Sequence, residues 1–492
     1  MKKLFIFFFA SLFFAACSSQ TPTPTITPVP ATSEAAVETT VEATAEVTME
    51  ATVEATVEVT MEATVEATAE VAMEVTVEAT AEVAMEATVE ATAEVAMEVT
   101  VEATAEVVME VTVEATAEVV SATPVPALSV DTALGDLPVG EWSQIALPEM
   151  KCLYDTDYSF FVRPASEPTE NLMIYFEGGG ACWDGYTCGL RGAFASQFEV
   201  TADEMIQNSQ GLLDFTNDVN PVKDYNTVFV PYCTGDVHTG NMSDVTFDIP
   251  EAAAEAGVTD KTVTVNFNGF TNASTVLQWV YDNYVAPSQV FVTGCSAGGY
   301  GAINHAAYIM KNYGDTRVVM LADASTGVTP KAWEGLGTWN TIGNLPDFIP
   351  ALADVTSEKY TATYHVKQLA KFFPENTFAE YNTFLDQVQV GFYGLQTGRP
   401  VDATNFIEVG TEWAKVLLGN IYGMEATLPN FYNYMPGGMV HCITPLPETY
   451  TYTVQGVPFV DWVASLLDGT VDKSPMCDPS TTCRVAPETT GG

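Results

Sequence analysis

The chain has 492 residues and carries 64 acidic against 17 basic side chains, a formal net charge of −47 at pH 7. Of the acidic residues, 22 are glutamates between positions 34 and 118; the rest of the chain, without the two N-terminal lysines, still has 42 acidic against 15 basic residues. A surface of this charge repels polyanions at long range. We therefore expect no nucleic acid among its partners.

The first 17 residues have the pattern of a secretory signal. Two lysines precede a short apolar run in KKLFIFFFASLFFAA at 2–16, which ends in small residues and is shorter than the roughly 20 residues of a membrane-spanning helix. FAAC at 14–17 resembles the lipobox of bacterial lipoproteins, in which the cysteine is lipidated after cleavage. This predicts an exported lipoprotein, at the cell surface or in the periplasm, held to the membrane through Cys17. The alternative is an ordinary signal peptide, with Cys17 discarded or left as a free thiol.

Residues 18–125 form a low-complexity segment with a 12-residue repeat, VEATAEVTMEAT and close variants, in which every fourth residue is glutamate. A helix would place like charges at i and i+4 throughout and would use many β-branched residues. A strand fits the alternation of apolar and polar residues, although the dense negative charge opposes stacking of strands. An extended, self-repelling spacer is the third alternative and the one that we favour. We predict a disordered or extended stalk.

Residues 126–492 have a globular composition and read as short apolar strands alternating with helices, which indicates a mostly parallel sheet flanked by helices. We predict strands at 172–176, 227–232, 290–293 and 318–321, and helices at 274–284 and 297–313. Eight of the nine cysteines lie in this part, an even number that fits disulfides and an oxidising compartment. The short loops Cys182–Cys188 and Cys477–Cys483 are the simplest pairs, and Cys152 and Cys233 are further candidates.

The strongest motif is Gly294-Cys295-Ser296-Ala297-Gly298, a G-x-S-x-G sequence between a predicted strand and a predicted helix. A nucleophilic serine needs a sharp, strained turn there, and flanking glycines remove side chains that would clash. The amides at the start of the helix can then stabilise a developing oxyanion. The motif predicts that Ser296 is a nucleophile and that the fold is of the α/β-hydrolase type. A structural turn is the alternative.

A glycine-rich loop, EGGGAC at 177–182, follows the first predicted strand. Backbone amides can approach a tetrahedral intermediate only where side chains are absent, so we assign the oxyanion donors as Gly179, Gly180 and Ala297. The alternative is a tight glycine turn braced by a Cys182–Cys188 disulfide.

The catalytic base must be one of four histidines, and in the order Ser…Asp…His it comes last, which leaves His365 and His441. His365 lies in a helix-like stretch, whereas His441 lies in a glycine-rich loop that suits a catalytic side chain. Because Ser296 follows Cys295 and His441 precedes Cys442, a Cys295–Cys442 disulfide would bring the two side chains together. The acid is Asp323 or Asp386, and the pattern alone gives Asp386 a slight advantage.

The strings EGGGAC, PYCTGDVHTGN and GCSAGG, with the late HC dipeptide, together resemble the pectin acetylesterase and Notum carboxylesterase superfamily. The resemblance implies a Ser–Asp–His triad, maps its acid onto Asp386 and makes Asp323 a structural residue. It also suggests that Asp236 and His238 line the substrate cleft; an ordinary polar loop is the alternative. Ala181 stands where plant members have tryptophan in EGGGWC, so we expect a different substrate groove.

The predicted function is therefore that of an extracellular serine esterase, with acetyl esters on carbohydrate as the expected substrate. A lipid or polyester esterase of the Notum type is one alternative, and a non-catalytic surface binding protein on a hydrolase scaffold is another. We expect no cofactor and no metal, because the four histidines are scattered and lack metal-ligand spacing. We expect the protein to be a monomer.

Overall fold

The computed structural model describes residues 128–189, 209–251, 258 and 260–484, and the backbone of strands between residues 36 and 113 and at 488–489. The chain divides into two compact units, one holding the repeat and one that runs from residue 125 to the C-terminus. The predicted signal and lipidation site lie outside the described residues.

Strands occupy the repeat and form two parallel sheets, in the orders β1-β3-β5-β7 and β2-β4-β6. Partner residues lie two repeat units apart, so that Glu62 pairs with Glu86. These strands follow the apolar–polar alternation of the strand alternative; the function of the segment as a spacer stays a prediction. The strands are β1 (Ala36–Ala43), β2 (Val47–Ala55), β3 (Val59–Ala67), β4 (Val71–Ala79), β5 (Val83–Ala91), β6 (Val95–Val101) and β7 (Val107–Val113).

A nine-stranded sheet forms the centre of the second unit, in the order β18-β17-β16-β15-β11-β12-β10-β9-β8. The six strands from β18 to β12 are mutually parallel, and β10 pairs antiparallel with β12 and with β9. The strands are β8 (Leu128–Ser129), β9 (Ser143–Lys151), β10 (Asp157–Arg163), β11 (Asn171–Phe176), β12 (Asn226–Val230), β15 (Gln289–Cys295), β16 (Arg317–Asp323), β17 (Thr377–Tyr381) and β18 (Phe431–Tyr434). Smaller sheets use β13 (Met242–Asp248), β14 (Thr262–Phe267), β19 (Tyr452–Val454), β20 (Val457–Pro458) and β21 (Glu488–Thr489).

The central strands are short apolar runs because both of their faces are buried. Successive side chains of β11 pack on opposite faces, Ile174 and Phe176 into one core and Met173 and Tyr175 into the other. The predicted α/β class and mostly parallel sheet are confirmed.

Helices cover the sheet and connect its parallel strands. They are α1 (Gly185–Gly189), α2 (Gly269–Asn283), α3 (Ala297–Tyr313), α4 (Gly335–Thr338), α5 (Pro350–Ala353), α6 (Ala362–Phe372), α7 (Gln387–Gln396), α8 (Phe406–Glu425) and α9 (Phe459–Asp468). Among the described residues, no helix combines the length and the apolar character needed to cross a bilayer.

Four disulfides link the loops of this unit: Cys152–Cys233, Cys182–Cys188, Cys295–Cys442 and Cys477–Cys483. Cys295–Cys442 closes a sequence separation of 147 residues and joins the end of β15 to the loop after β18. A bond of that span restricts the unfolded chain strongly, which stabilises the fold.

The chain leaves β11 toward β12 on one side and returns through β15 on the other side, so that the direction of winding reverses between β11 and β15. Ligands of open α/β sheets bind outside the carboxyl ends of the strands at such a point. The predicted site residues follow or end five of these strands: the glycine loop after β11, Ser296 after β15, Asp323 in β16, Asp386 after β17 and His441 after β18.

Candidate active site

Ser296 occupies a strained turn between β15 and α3. Its backbone has φ 57° and ψ −120°, a conformation that residues other than glycine rarely adopt. A Cβ atom at Gly294 or Gly298 would lie 2.3 Å or 1.9 Å from the carbonyl oxygen of Phe176. The turn can therefore lie against the end of β11 only because glycines flank the serine.

The His441 imidazole is held by Asp386. Its Nδ1–H donates to both carboxylate oxygens of Asp386, at 2.8 and 2.9 Å. Asp386 is fully buried and caps α7, where its Oδ1 accepts hydrogen bonds from the backbone amides of Val388 and Gln389 at 3.0 and 2.9 Å. This arrangement fixes the Nδ1–H tautomer and leaves Nε2 as the basic nitrogen.

Burial and charge act in opposite directions on His441. Burial, the largest effect, lowers the pKa of the imidazole, but the charge of Asp386, its hydrogen bond and the charge of Asp323 together raise the pKa above its ordinary value. Nε2 is buried and has no hydrogen-bond partner among the described residues. An unpaired acceptor of raised basicity is suited to removing a proton.

Asp323 holds the backbone of the histidine loop rather than the imidazole. Its Oδ2 accepts hydrogen bonds from the amides of Ile443 and Thr444 and from the Thr444 hydroxyl, at 2.7 to 2.9 Å. Burial raises the pKa of Asp323 to about 6. With the Cys295–Cys442 disulfide, these bonds fix the histidine loop beside the serine turn.

The glycine-rich loop after β11 lies directly against the serine turn. A Cβ atom at Gly178 would lie 2.4 Å from the carbonyl oxygen of Cys295. Gly180 has φ 81°, and its carbonyl accepts a hydrogen bond from the Tyr232 hydroxyl at 3.0 Å. The loop and the first residue of α3 meet at one cavity, which Gly180 and Ala297 both line.

Ser296 and His441 both line this open cavity. Of the described residues that line it, none is an aspartate, glutamate, lysine or arginine. Trp333 contacts Trp183 and Trp339 edge to face, with ring centroids 4.9 and 5.1 Å apart. The aromatic lining residues are Trp183, Tyr300, Trp333, Trp339, Tyr360, Phe392, Tyr393 and Trp413.

Asp236 and His238 lie behind the cavity wall, which corrects the expectation that they line the cleft. Asp236 is fully buried, and its carboxylate accepts hydrogen bonds from Thr234, Gly240 and Gly269 among others. The imidazole Nε2 of His238 contacts the carbonyl oxygen of Glu177 at 2.9 Å. Buried polar atoms need hydrogen-bond partners, and both side chains find theirs inside the protein. Val237 and Thr239 line the cavity instead.

The remaining two histidines are buried packing residues. His305 stacks between Phe176 and Phe270, and His365 contacts the Tyr360 hydroxyl. The described part of the chain holds one group with metal-ligand spacing, Cys295, His441 and Cys442, but both sulfurs belong to a disulfide and offer no thiolate.

Sequence reasoning missed the tryptophan cluster and Gln389, which lines the cavity and bonds Asp386. Trp183 stands two residues after Ala181, where plant members have tryptophan, and this was a usable signal. Trp333 and Trp339 come from a loop more than 140 residues further along the chain, and only folding brings them to Trp183.

A strained serine turn beside a histidine held by a buried aspartate, at the carboxyl edge of a parallel sheet, defines the α/β-hydrolase class. The chain belongs to the Pectinacetylesterase family, whose sequence profile matches residues 144–400. This is a family of serine carboxylesterases. The match ends before His441.

Two curated relatives are similar over shorter stretches. The palmitoleoyl-protein carboxylesterase NOTUM of Schmidtea mediterranea is 26% identical over 153 residues, 29% of this chain and 25% of the relative. The palmitoleoyl-protein carboxylesterase notum2 of Xenopus laevis is 31% identical over 94 residues, 19% of each chain. The matched region thus spans about a quarter or less of these relatives.

A crystal structure of the Wnt deacylase Notum from Drosophila has the same fold. It superposes with a TM-score of 0.50 at 15% sequence identity, over 69% of this chain and 97% of the Notum chain. At this identity the likeness concerns the fold alone.

Proposed function

We propose that the protein is a serine carboxylesterase whose triad is Ser296, His441 and Asp386. The observation that carries the proposal is the hydrogen-bonded Asp386–His441 pair, whose histidine lines the same cavity as Ser296. The disulfide between Cys295 and Cys442, the chain neighbours of Ser296 and His441, further supports it.

The reaction follows from these positions. The Ser296 hydroxyl attacks the ester carbonyl while His441 Nε2 takes its proton, and Asp386 stabilises the imidazolium. The amides of Gly179, Gly180 and Ala297 stabilise the oxyanion. The tetrahedral intermediate releases the alcohol, which receives the proton from His441. Water, deprotonated by His441, then releases the acid from the acyl-enzyme.

We propose acetyl esters of neutral carbohydrates as substrates. The described lining holds no lysine or arginine, so these residues offer no cation to a uronate-rich polymer. The net charge of the chain opposes a polyanion as well. Aromatic rings such as those of Trp183 and Trp333 offer flat apolar surfaces on which a neutral sugar ring can pack.

A longer apolar acyl group is the second candidate. The cavity is lined mainly by aromatic and aliphatic side chains, which favour burial of a hydrocarbon chain. The two curated relatives are palmitoleoyl-protein carboxylesterases by name.

A substrate panel separates these candidates. The wild-type chain and a Ser296→Ala variant are assayed with p-nitrophenyl esters from acetyl to palmitoyl, and with acetylated neutral and uronate-rich glycans. The proposal expects acetyl esters and neutral glycans to give the highest kcat/KM, and Ser296→Ala to lose at least about 1,000-fold. A maximum at long acyl chains would favour the second candidate. Equal rates for both proteins would remove the triad and favour a non-catalytic binding protein.

We also propose that Cys17 carries a lipid anchor and that the protein acts outside the cytoplasm. The family of disulfide-bonded esterases and the four disulfides are consistent with secretion. A Cys17→Ser variant should leave the membrane fraction and lose incorporation of labelled fatty acid. Unchanged labelling would contradict the anchor but leave the esterase proposal intact.

A further inference from the structure

A line of buried polar side chains runs from β17 to Asp386. Gln389 Nε2 donates to Asp386 Oδ2 at 3.0 Å and to Asn382 Oδ1 at 3.1 Å. Asn382 Nδ2 in turn donates to Glu380 Oε2 at 3.5 Å. Asn382 and Glu380 are almost completely buried, so the bond between them is shielded from water.

The direction of these bonds follows from Asp386. An ionised carboxylate only accepts hydrogen bonds, so Gln389 must turn its NH₂ group toward it. The same NH₂ group then needs the oxygen of Asn382, and the NH₂ group of Asn382 needs an acceptor. Glu380 supplies that acceptor at the end of the line.

Glu380 is an unusual residue for a buried strand that is paired on both sides. It is 1% exposed, and its Oε1 has no hydrogen-bond partner among the described residues. Burial raises the pKa of its carboxyl group to about 8. Burying a carboxyl oxygen without a hydrogen-bond partner lowers the stability of the fold, and the group adds nothing to the apolar core. A functional role would explain its presence.

We propose that Glu380 is a positioning residue of the triad, acting on Asp386 through the side-chain amides of Asn382 and Gln389. With its acceptor in place, Asn382 keeps its oxygen toward Gln389, and Gln389 keeps its NH₂ group on Asp386. This inference rests on the proposed function, since it concerns the triad.

Charge adds a second effect. The titratable groups near Glu380 are Asp386 at the start of α7, with His441 bonded to it, Tyr300 of α3 and Glu425 of α8. Burial raises the pKa of Tyr300, and the charges of Asp386 and Glu380 raise it further. Glu425 lies beside Asn433, the residue that pairs with Glu380 across β17 and β18. When Glu380 ionises, a second negative charge behind Asp386 stabilises the imidazolium of His441 and strengthens the bond from Asn382.

The test compares kcat and KM of the full chain between pH 6 and 10 with those of Glu380→Gln and Glu380→Met. Beyond the rise that deprotonation of His441 gives in every variant, we expect the wild-type kcat to rise about two- to threefold further around pH 8. Glu380→Gln, which keeps an acceptor but never ionises, should lack this second step. Glu380→Met, which removes the acceptor, should lower kcat about five- to tenfold with KM within twofold.

A double variant distinguishes positioning from simple loss of packing. Because Glu380 and Gln389 act in one line, Glu380→Met combined with Gln389→Met should lose no more kcat than Gln389→Met alone, within twofold. Glu375→Gln, at an exposed glutamate just before β17, is the matched control and should leave kcat and its pH profile unchanged.

Two results would overturn the inference: a pH step that persists in Glu380→Gln, or losses of kcat that multiply in the double variant. Both results apply only if Ser296→Ala abolishes the hydrolysis that the wild type catalyses. Hydrolysis that Ser296→Ala retains would instead overturn the proposed function, so the two failures are distinguishable.

Discussion

Two buried aspartates flank the loop that carries His441, and they hold different parts of it. Asp386 accepts the Nδ1–H of the imidazole, whereas Asp323 accepts the backbone amides of Ile443 and Thr444. A carboxylate on the ring controls basicity and tautomer, and a carboxylate on the backbone controls the conformation of the loop.

Asp386→Asn should therefore lower kcat by roughly 1,000-fold or more, because an amide does not favour the Nδ1–H tautomer. Asp323→Ala should lower the free energy of unfolding by about 1–3 kcal/mol, because it removes the carboxylate oxygen that accepts three hydrogen bonds. Steady-state kinetics and urea unfolding of both variants check this. The reverse pattern would make Asp323 the triad acid.

The pH dependence of activity belongs to the same pair. Because the pKa of His441 is raised above 6.5, kcat/KM should fall as the pH falls through a value above 6.5, where the imidazole becomes protonated and cannot accept the serine proton. Removing the charge of Asp386 in Asp386→Asn should move this acid limb to lower pH. A wild-type limb below pH 6 would contradict the prediction.

At the scale of elements, the strand–turn–helix unit around Ser296 depends on close approach to β11. Gly298→Ala would bring a Cβ atom to 1.9 Å from the Phe176 carbonyl, so we expect the turn to shift and kcat to fall at least about 100-fold. Gly391→Ala is a matched control in α7, where no heavy atom lies within 4 Å, and it should raise stability by about 0.5–1 kcal/mol. Kinetics and thermal unfolding of both variants decide. Wild-type kcat in Gly298→Ala would argue against a rigid turn.

The apolar strands β11, β12, β15 and β16 and the helix after Ser296 could be predicted because their patterns are local. Strands β17 and β18 could not, since Glu380 and Asn433 interrupt their apolar runs for reasons that lie in the fold. The predicted helix at 274–284 begins earlier, at Gly269, because the Gly269 amide donates to Asp236, a contact that the sequence does not reveal.

At the scale of the whole molecule, buried histidines and a buried glutamate have opposite effects on how the free energy of unfolding depends on pH. Burial lowers the pKa of His238 and His365 to about 3 and of His305 to about 4, while it raises the pKa of Glu380 to about 8. A histidine with a lowered pKa binds a proton more readily when unfolded, so its contribution is lost as the pH falls below about 6.5. A carboxyl group with a raised pKa loses its proton on unfolding, so stability falls as the pH rises from about 4.5 to 8.

Replacing a buried histidine should reduce the loss of stability at low pH, and replacing the buried glutamate should reduce the loss at high pH. When the pH is lowered from 7.5 to 5, the free energy of unfolding of His365→Leu should rise by about 2 kcal/mol relative to that of the wild type. The reason is that the unfolded wild type takes up a proton that the variant does not. When the pH is raised from 6 to 9, the free energy of unfolding of Glu380→Gln should rise relative to that of the wild type. Urea unfolding across this pH range provides the measurement, and parallel curves for wild type and variants would refute the assignment.

The central claim is that His441 activates Ser296 for attack on a carbonyl. A fluorophosphonate ester reacts with an activated serine and leaves a stable adduct, which peptide mass spectrometry locates, and the rate of labelling measures activation. We predict a single adduct on the peptide containing Ser296, with labelling at least about 1,000-fold slower in His441→Ala. An adduct on another residue, or wild-type labelling in His441→Ala, would contradict the account.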